Sequence, residues 1–151
     1  TSGEHRRPAA EVIIPGEGSW DLVPWSSSLK VETVSGAAGR RLLRGRSRGG
    51  NSGDWGSPQG KISAVIAFPG FPIRVRSRAK GDRLVPFGMK GSKKLSRILM
   101  DLKIPAEERG DLPVFEDAGG IIWVPGVVAA ERTRITPKTR RALVISLEKT
   151  G

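Results

Sequence analysis

The strongest helical signal in this chain is one short stripe, and it lies between two groups of strand-like segments. Leu95, Ile98, Leu99 and Leu102 fall at i, i+3, i+4 and i+7, which places four apolar side chains on one face of an amphipathic helix. Ser92 is a suitable N-cap, and Ile104-Pro105 ends the helix because the residue before a proline avoids the α region. Pro105 then opens a second, short helix with Glu107 and Glu108 in its first turn, where negative charge suits the helix dipole. Thr136-Pro137 begins a third, through Arg141. Before the stripe, Glu11 to Pro15, Leu29 to Val34 and Lys61 to Phe68 read as strands, and Phe71, Ile73 and Val75 alternate with Arg74, Arg76 and Arg78. After it, Val114 to Glu116, Ile121 to Val124, Val127 to Ile135 and Leu143 to Leu147 read as strands, with Asp117 to Gly120 as a hairpin turn. Strands, then helices, then strands make the class α+β: a mixed, mostly antiparallel sheet with one basic amphipathic helix and two short helices.

The 151 residues are the length of one domain, large enough to bury a core without a metal or a disulfide. With no cysteine, disulfides, thiolate nucleophiles and zinc-cysteine sites are excluded. The one histidine, His5, sits in a polar N-terminal stretch and reads as a solvated tail residue, so histidine-based catalysis and histidine-rich metal sites are not expected. No apolar run approaches the roughly 20 residues of a membrane span, and the expectation is a cytoplasmic protein with no membrane partner. The chain begins at Thr1, which suggests an excised fragment. Residues 1–10 are expected as a flexible tail and 11–151 as a single domain. An Arg/Gly-rich loop at about 36–58 is expected to be flexible, since Arg40, Arg41, Arg44, Arg46 and Arg48 stand there among glycines and serines.

The charge is large and gathered. Lys and Arg number 26 against 15 acids, a net +11 with a pI near 11.1, which makes a polyanion the natural partner. From Pro72 to Gly110 eleven basic residues face four acids, a net +7. On a pleated strand Arg74, Arg76 and Arg78 form an outward ladder, opposite the apolar set. Lys93 and Lys94 fall in the first turn of the predicted helix, where the dipole disfavours cations unless an anion sits at that terminus. Arg97 lies one turn on from Lys93, and Gly88 and Gly91 allow a close approach of phosphate to backbone. The alternative is a set of solvated surface lysines. Trp123, in an apolar strand, reads as core, whereas Trp55, among Gly and Ser, is a candidate exposed base-stacker.

Phosphate-loop spacing is not met: the stretches from Gly56 to Lys61 and from Gly88 to Lys93 lack both the interval and the magnesium-binding hydroxyl. The Ser-Gly-Gly-x-Asp-Ser loop of ATP pyrophosphatases is also missing, and carboxylates are scattered. No catalytic and no metal-binding residues are therefore assigned, and the fragment alone is expected to be no enzyme and to carry no cofactor.

The ordered series Arg78-Ala79-Lys80-Gly81-Asp82-Arg83, Pro86-Phe87-Gly88-Met89-Lys90-Gly91-Ser92-Lys93-Lys94-Leu95, Lys103-Ile104-Pro105, Arg109, Leu112-Pro113 and Trp123-Val124-Pro125-Gly126 resembles the C-terminal domain of bacterial tRNA(Ile)-lysidine synthetases. It covers Arg74 to about Leu147. Ser96 stands where that family usually repeats a lysine, and Gly39 to Gly50 looks like a local insertion. The resemblance implies a tRNA-binding domain of an ATP-dependent ligase that attaches lysine to the wobble cytidine of tRNA(Ile), so that it reads AUA. ATP and magnesium then belong to an N-terminal catalytic domain that is absent from this sequence. The implied partners are tRNA(Ile), held by its acceptor stem, and that catalytic domain of the same polypeptide. The implied RNA-binding residues are Arg74, Arg76, Arg78, Lys80, Arg83, Lys90, Lys93, Lys94, Arg97, Arg132 and Arg134, with Gly88 and Gly91 at the phosphates. Two other readings stay open: a free-standing RNA- or DNA-binding module, and a homodimerisation domain pairing through Val127, Val128 and Ile135 near a sheet edge.

Overall fold

A computed structural model describes residues 11–44, 61–104 and 112–150, and the backbone of 54–56. His5 and the tail, Arg46, Arg48, the helix expected after Pro105 and Arg109 lie outside the described residues. Two five-stranded sheets pack face to face. The first joins β1 (Glu11–Ile14), β6 (Ile73–Ser77), β9 (Pro113–Asp117), β10 (Gly120–Val124) and β11 (Val128–Ala129) in the order β1-β6-β9-β10-β11. The second joins β2 (Gly18–Leu22), β3 (Ser27–Ser35), β4 (Asp54–Gly56), β5 (Lys61–Ala67) and β12 (Arg141–Lys149) in the order β2-β3-β12-β5-β4. All these pairings are antiparallel. Side-chain alternation along each strand fills the space between the sheets: Ile73, Val75 and Phe115 from the first meet Leu29, Val31, Ile66, Leu143 and Ile145 from the second. Trp123 is fully buried there, its ring 4.9 Å from that of Phe115, as its apolar neighbours predict. A shift in register between Ile121 and Trp123 turns both Ile122 and Trp123 into this core, which strict alternation forbids.

Helix α2 (Leu95–Asp101) covers the outer face of the first sheet. Leu95, Ile98 and Leu99 are buried against Val114, Ile121 and Val124, as the stripe predicts, whereas Leu102 caps the helix and is half exposed. On the outer face of the second sheet lies helix α1 (Gly36–Arg44), in a segment expected to be a loop. Its glycines are the reason it can lie there. A Cβ on Gly36 would stand 1.8 Å from the Thr139 carbonyl oxygen, and one on Gly39 would stand 2.5 Å from the Ala142 Cβ. Gly36 donates its N–H to the Arg140 carbonyl at 2.8 Å, the Ser35 hydroxyl accepts from Ala38 N–H, and Arg40 donates to the carbonyls of Thr136 and Thr139. The composition that suggested disorder is thus the composition of a helix set tightly on a sheet. Two further expectations are corrected. Residues 136–140 form a turn instead of a helix, and Val127 to Ile135 keeps only the two-residue strand β11 before a 3₁₀ turn at Glu131–Thr133.

Candidate nucleic-acid interface

Two rungs of the predicted arginine ladder, Arg74 and Arg76, form on the strand, and both are neutralised. Arg74 and Arg76 share the outer face of the first sheet with Glu116 of the adjacent strand, paired in register with Arg74. Arg74 donates its Nε to Glu116 Oε2 at 2.6 Å, its Nη2 to the same oxygen, and its Nη1 to Glu11 at 3.0 Å. Arg76 donates its Nε to Glu116 Oε1 at 2.9 Å and both terminal nitrogens to the Asp82 carboxylate. Both guanidinium groups are held more strongly protonated by these partners, Arg76 against the opposing effect of its own burial. Arg78 follows the end of the strand and is half-buried. The ladder is a structural ion network, because acids distant in sequence converge on it.

Asp82 ties that network to the next segment of the chain. Its side chain also accepts Ala79 N–H at 2.8 Å, and its carbonyl accepts Leu95 N–H at 2.8 Å, which sets the start of α2. Between these points the chain makes a two-stranded ribbon, β7 (Arg83–Leu84) with β8 (Lys93–Lys94), in the register Arg83↔Lys94 and Leu84↔Lys93. Lys93 and Lys94 therefore belong to a strand and precede the helix, contrary to their expected place in its first turn. The helix-terminal clamp does not form: Lys94 occupies the N-cap position with extended backbone, and Ser92, the expected cap, accepts a hydrogen bond from Arg83 Nε at 3.1 Å. Lys93 Nζ pairs with Asp101 at 2.7 Å, and Arg97 approaches the same carboxylate at 3.4 Å. The Lys93 hydrogen bond, chiefly, holds Asp101 below the usual carboxylate range.

Arg132 and Arg134, expected to alternate on a strand, sit in and after the 3₁₀ turn, each with an acid. Arg132 grips Asp117 with both terminal nitrogens, at 2.6 and 3.2 Å, and donates to the Gly120 carbonyl. Burial pushes the Asp117 carboxyl up, but Arg132 and the Gly119 N–H outweigh it and keep the group acidic. Arg134 pairs with Glu131 at 2.9 Å and lies over the Phe87 ring, 4.1 Å from its centre. Gly88 has φ +84°, as a close turn needs, but its N–H already donates to Glu131 at 2.5 Å and is not open to a phosphate. Around Gly91 there is open space.

Besides the half-buried Arg78, four of the expected cations remain. Lys80, Arg83, Lys90 and Lys94 are exposed, and no carboxylate among the described residues pairs with them. They belong to one continuous segment, 80–94, comprising the turn after β6, the ribbon and the loop between its strands. Arg83 and Lys94 face each other directly across the ribbon, and like charges so placed repel. An anion between them removes that repulsion. The Trp55 side chain lies outside the described residues. Val127, Val128 and Ile135, the basis of the dimer reading, are half-buried or buried, with Val128 in the core beneath α2 and Ile135 near Gly39.

The depressed acids give a pH dependence with a definite sign. Asp101, Asp117 and Glu131 titrate lower in the fold than in the unfolded chain, so their contribution to stability is complete above the unfolded value of about 4 and fades as pH falls below it. The melting temperature, monitored by circular dichroism, is expected to hold from pH 7 to about 5 and to drop steeply toward pH 3. Asp117→Asn should flatten part of that drop. An unchanged acid limb in the variant would remove Asp117 from the account.

Comparison with known proteins agrees with this architecture. The family model of the TilS substrate C-terminal domain matches residues 73–146. The chain is 44% identical over 82 residues to the tRNA(Ile)-lysidine synthase of Symbiobacterium thermophilum, covering 54% of this chain and 17% of that protein. It is 42% identical over 77 residues to that of Clostridium acetobutylicum, covering 51% of this chain and again 17% of the relative. It thus spans about a sixth of the length of these curated relatives. A crystal structure of a TilS C-terminal domain superposes with a TM-score of 0.59 at 23% identity, covering 94% of this chain and 99% of that one. An N-terminal fragment of the phenylalanyl-tRNA synthetase β-subunit from Pyrococcus horikoshii shares the fold at a TM-score of 0.52 and 16% identity, covering 96% of this chain and 40% of that one. With the α+β sandwich, the ordered motifs and the matched segment in agreement, the chain belongs, through residues 73–146, to the TilS substrate C-terminal domain family.

Proposed function

We propose that this domain holds tRNA(Ile) by its acceptor stem on behalf of a tRNA(Ile)-lysidine synthase, while the ATP- and magnesium-dependent joining of lysine to the wobble cytidine takes place in a separate catalytic domain of the same polypeptide. The observation that carries this reading is the segment 80–94, whose Lys80, Arg83, Lys90 and Lys94 are exposed and have no acid partner among the described residues, while Arg74, Arg76 and Arg132 nearby are neutralised. An A-form stem offers phosphates and 2′-hydroxyls and hides its major-groove edges, so a rigid ribbon of cations is an appropriate reader. The ribbon is rigid because both its ends are tied, through Asp82 to β6 and through Leu95 to α2. The relatives' name supplies the RNA, and the free cations supply the means.

Four phosphate contacts on a duplex give a slope of log K against log salt of about −3.6, that is, roughly a hundredfold loss of affinity between 50 and 200 mM salt. Anisotropy titration of labelled tRNA with the chain measures this directly. A flat response across that range is incompatible with the proposal.

A further inference from the structure

The ribbon borders a cavity that neither the fold nor phosphate binding requires. It has a volume of about 430 Å³ and lies between β7, the β9–β10 turn and the 3₁₀ turn after β11. Leu84 and Ile121 give it apolar walls, Gly119 and Gly120 leave one side without side chains, and Arg83, Ser92 and Arg132 stand around it. Its two guanidinium groups differ in a useful way. Arg132 is immobilised: the Asp117 carboxylate and the Gly120 carbonyl hold its edge, and the backbone of Gly119 packs so close that a Cβ there would stand 3.4 Å from its central carbon. Such a group is a flat, preorganised platform. Among the described residues Arg83 is fixed through Nε alone, by Ser92, and its terminal nitrogens meet no acid. Glu131, the acid at this site, is engaged by Arg134 and by Gly88 N–H, so it does not offset the positive charge of Arg83.

We propose that this cavity takes one unstacked nucleobase from an unpaired nucleotide at the end of an RNA stem, with the base stacked on the Arg132 guanidinium and its phosphate on Arg83. The proposal rests on the tRNA-holding role and deepens it. A phosphate alone would leave the Leu84 and Ile121 walls empty, and a purely apolar ligand would leave Arg83 without a counter-charge. A planar heterocycle joined to a phosphate matches both, and unpaired RNA bases are commonly stacked on arginine planes. The volume lies in the lower part of the roughly 300–1,000 Å³ range of small-ligand sites, which suits one nucleotide and no longer stretch.

The test compares two RNA duplexes of the same stem, one blunt and one with a single-stranded 3′ extension, titrated against the whole chain. The extended duplex is expected to bind about tenfold more tightly, the gain of one stacked base. Arg132→Lys keeps the charge opposite Asp117 but removes the plane, and Ser92→Phe fills the cavity from an exposed position. In each variant the ratio of the two affinities is expected to fall close to one. Equal binding of both duplexes by the unaltered chain overturns the cavity proposal and leaves the stem-holding role standing. Failure of both duplexes to bind overturns both. An unchanged ratio in Arg132→Lys and Ser92→Phe, with native circular dichroism, places the extension elsewhere and also overturns it.

Discussion

Alanine at Lys80, Arg83, Lys90 and Lys94 together is expected to weaken tRNA binding by two to three orders of magnitude while leaving the melting temperature within a few degrees of the unaltered chain. Charge-assisted contacts to phosphate contribute about 1.5–3 kcal/mol when well formed and less when solvated, so about 1 kcal/mol for each exposed residue is appropriate here. Four such losses come to about 4 kcal/mol, and each 1.4 kcal/mol is tenfold in affinity. The salt slope should fall by about one for each residue removed. Stability should hardly move, because none of the four has an acid partner among the described residues and Arg83 and Lys94 repel each other in the native state. The same measurements on Arg74→Ala should show the converse, since that arginine is committed to Glu116 and Glu11. If the fourfold variant binds within a factor of about ten of the original, the ribbon is not the principal RNA contact.

Glu116→Ala is expected to cost about 3 kcal/mol of stability, the low end of what is lost when one member of a buried ion pair is removed. Glu116 is 9% exposed and sits between Arg74 and Arg76. Its loss leaves Arg76, itself only 17% exposed, with Asp82 as its one acid among the described residues. Arg74 is about half exposed, and water compensates it, which is why the upper end of the range does not apply. For a domain of this size the melting temperature should fall by about 6–12 °C. Glu116→Gln keeps an acceptor at the same place and should lose less. A fall under about 2 °C in the alanine variant would falsify the view of this network as a structural element and mark its pairs as worth no more than surface salt bridges.

How far the chain could be read without its fold depended on the range of the interaction concerned. Apolar runs and the turn residues that bracket them are relations between near neighbours, and the strand within Lys61 to Phe68, the β9–β10 hairpin and the burial of Trp123 followed from them. So did three of the four leucine-stripe residues of α2, and with them the α+β class. The basic character is composition and could be counted. Which cations are free is another matter. Glu116 meets Arg74 across 42 positions and Arg132 meets Asp117 across 15, and no local pattern reports such encounters. The start of α2 was misplaced for a similar reason: Lys93 and Lys94 pair as a strand with Arg83 and Leu84 about ten residues earlier, and Asp82 takes the Leu95 N–H. Helix α1 was invisible because glycine lowers helix propensity everywhere, yet Gly36 and Gly39 are what allow it to approach Thr139 and Ala142. The sequence by itself determined the local periodicities and the total charge. Only the tertiary structure decided which charges are cancelled and which are left facing outward, because pairing is set by distances in space between residues far apart along the chain.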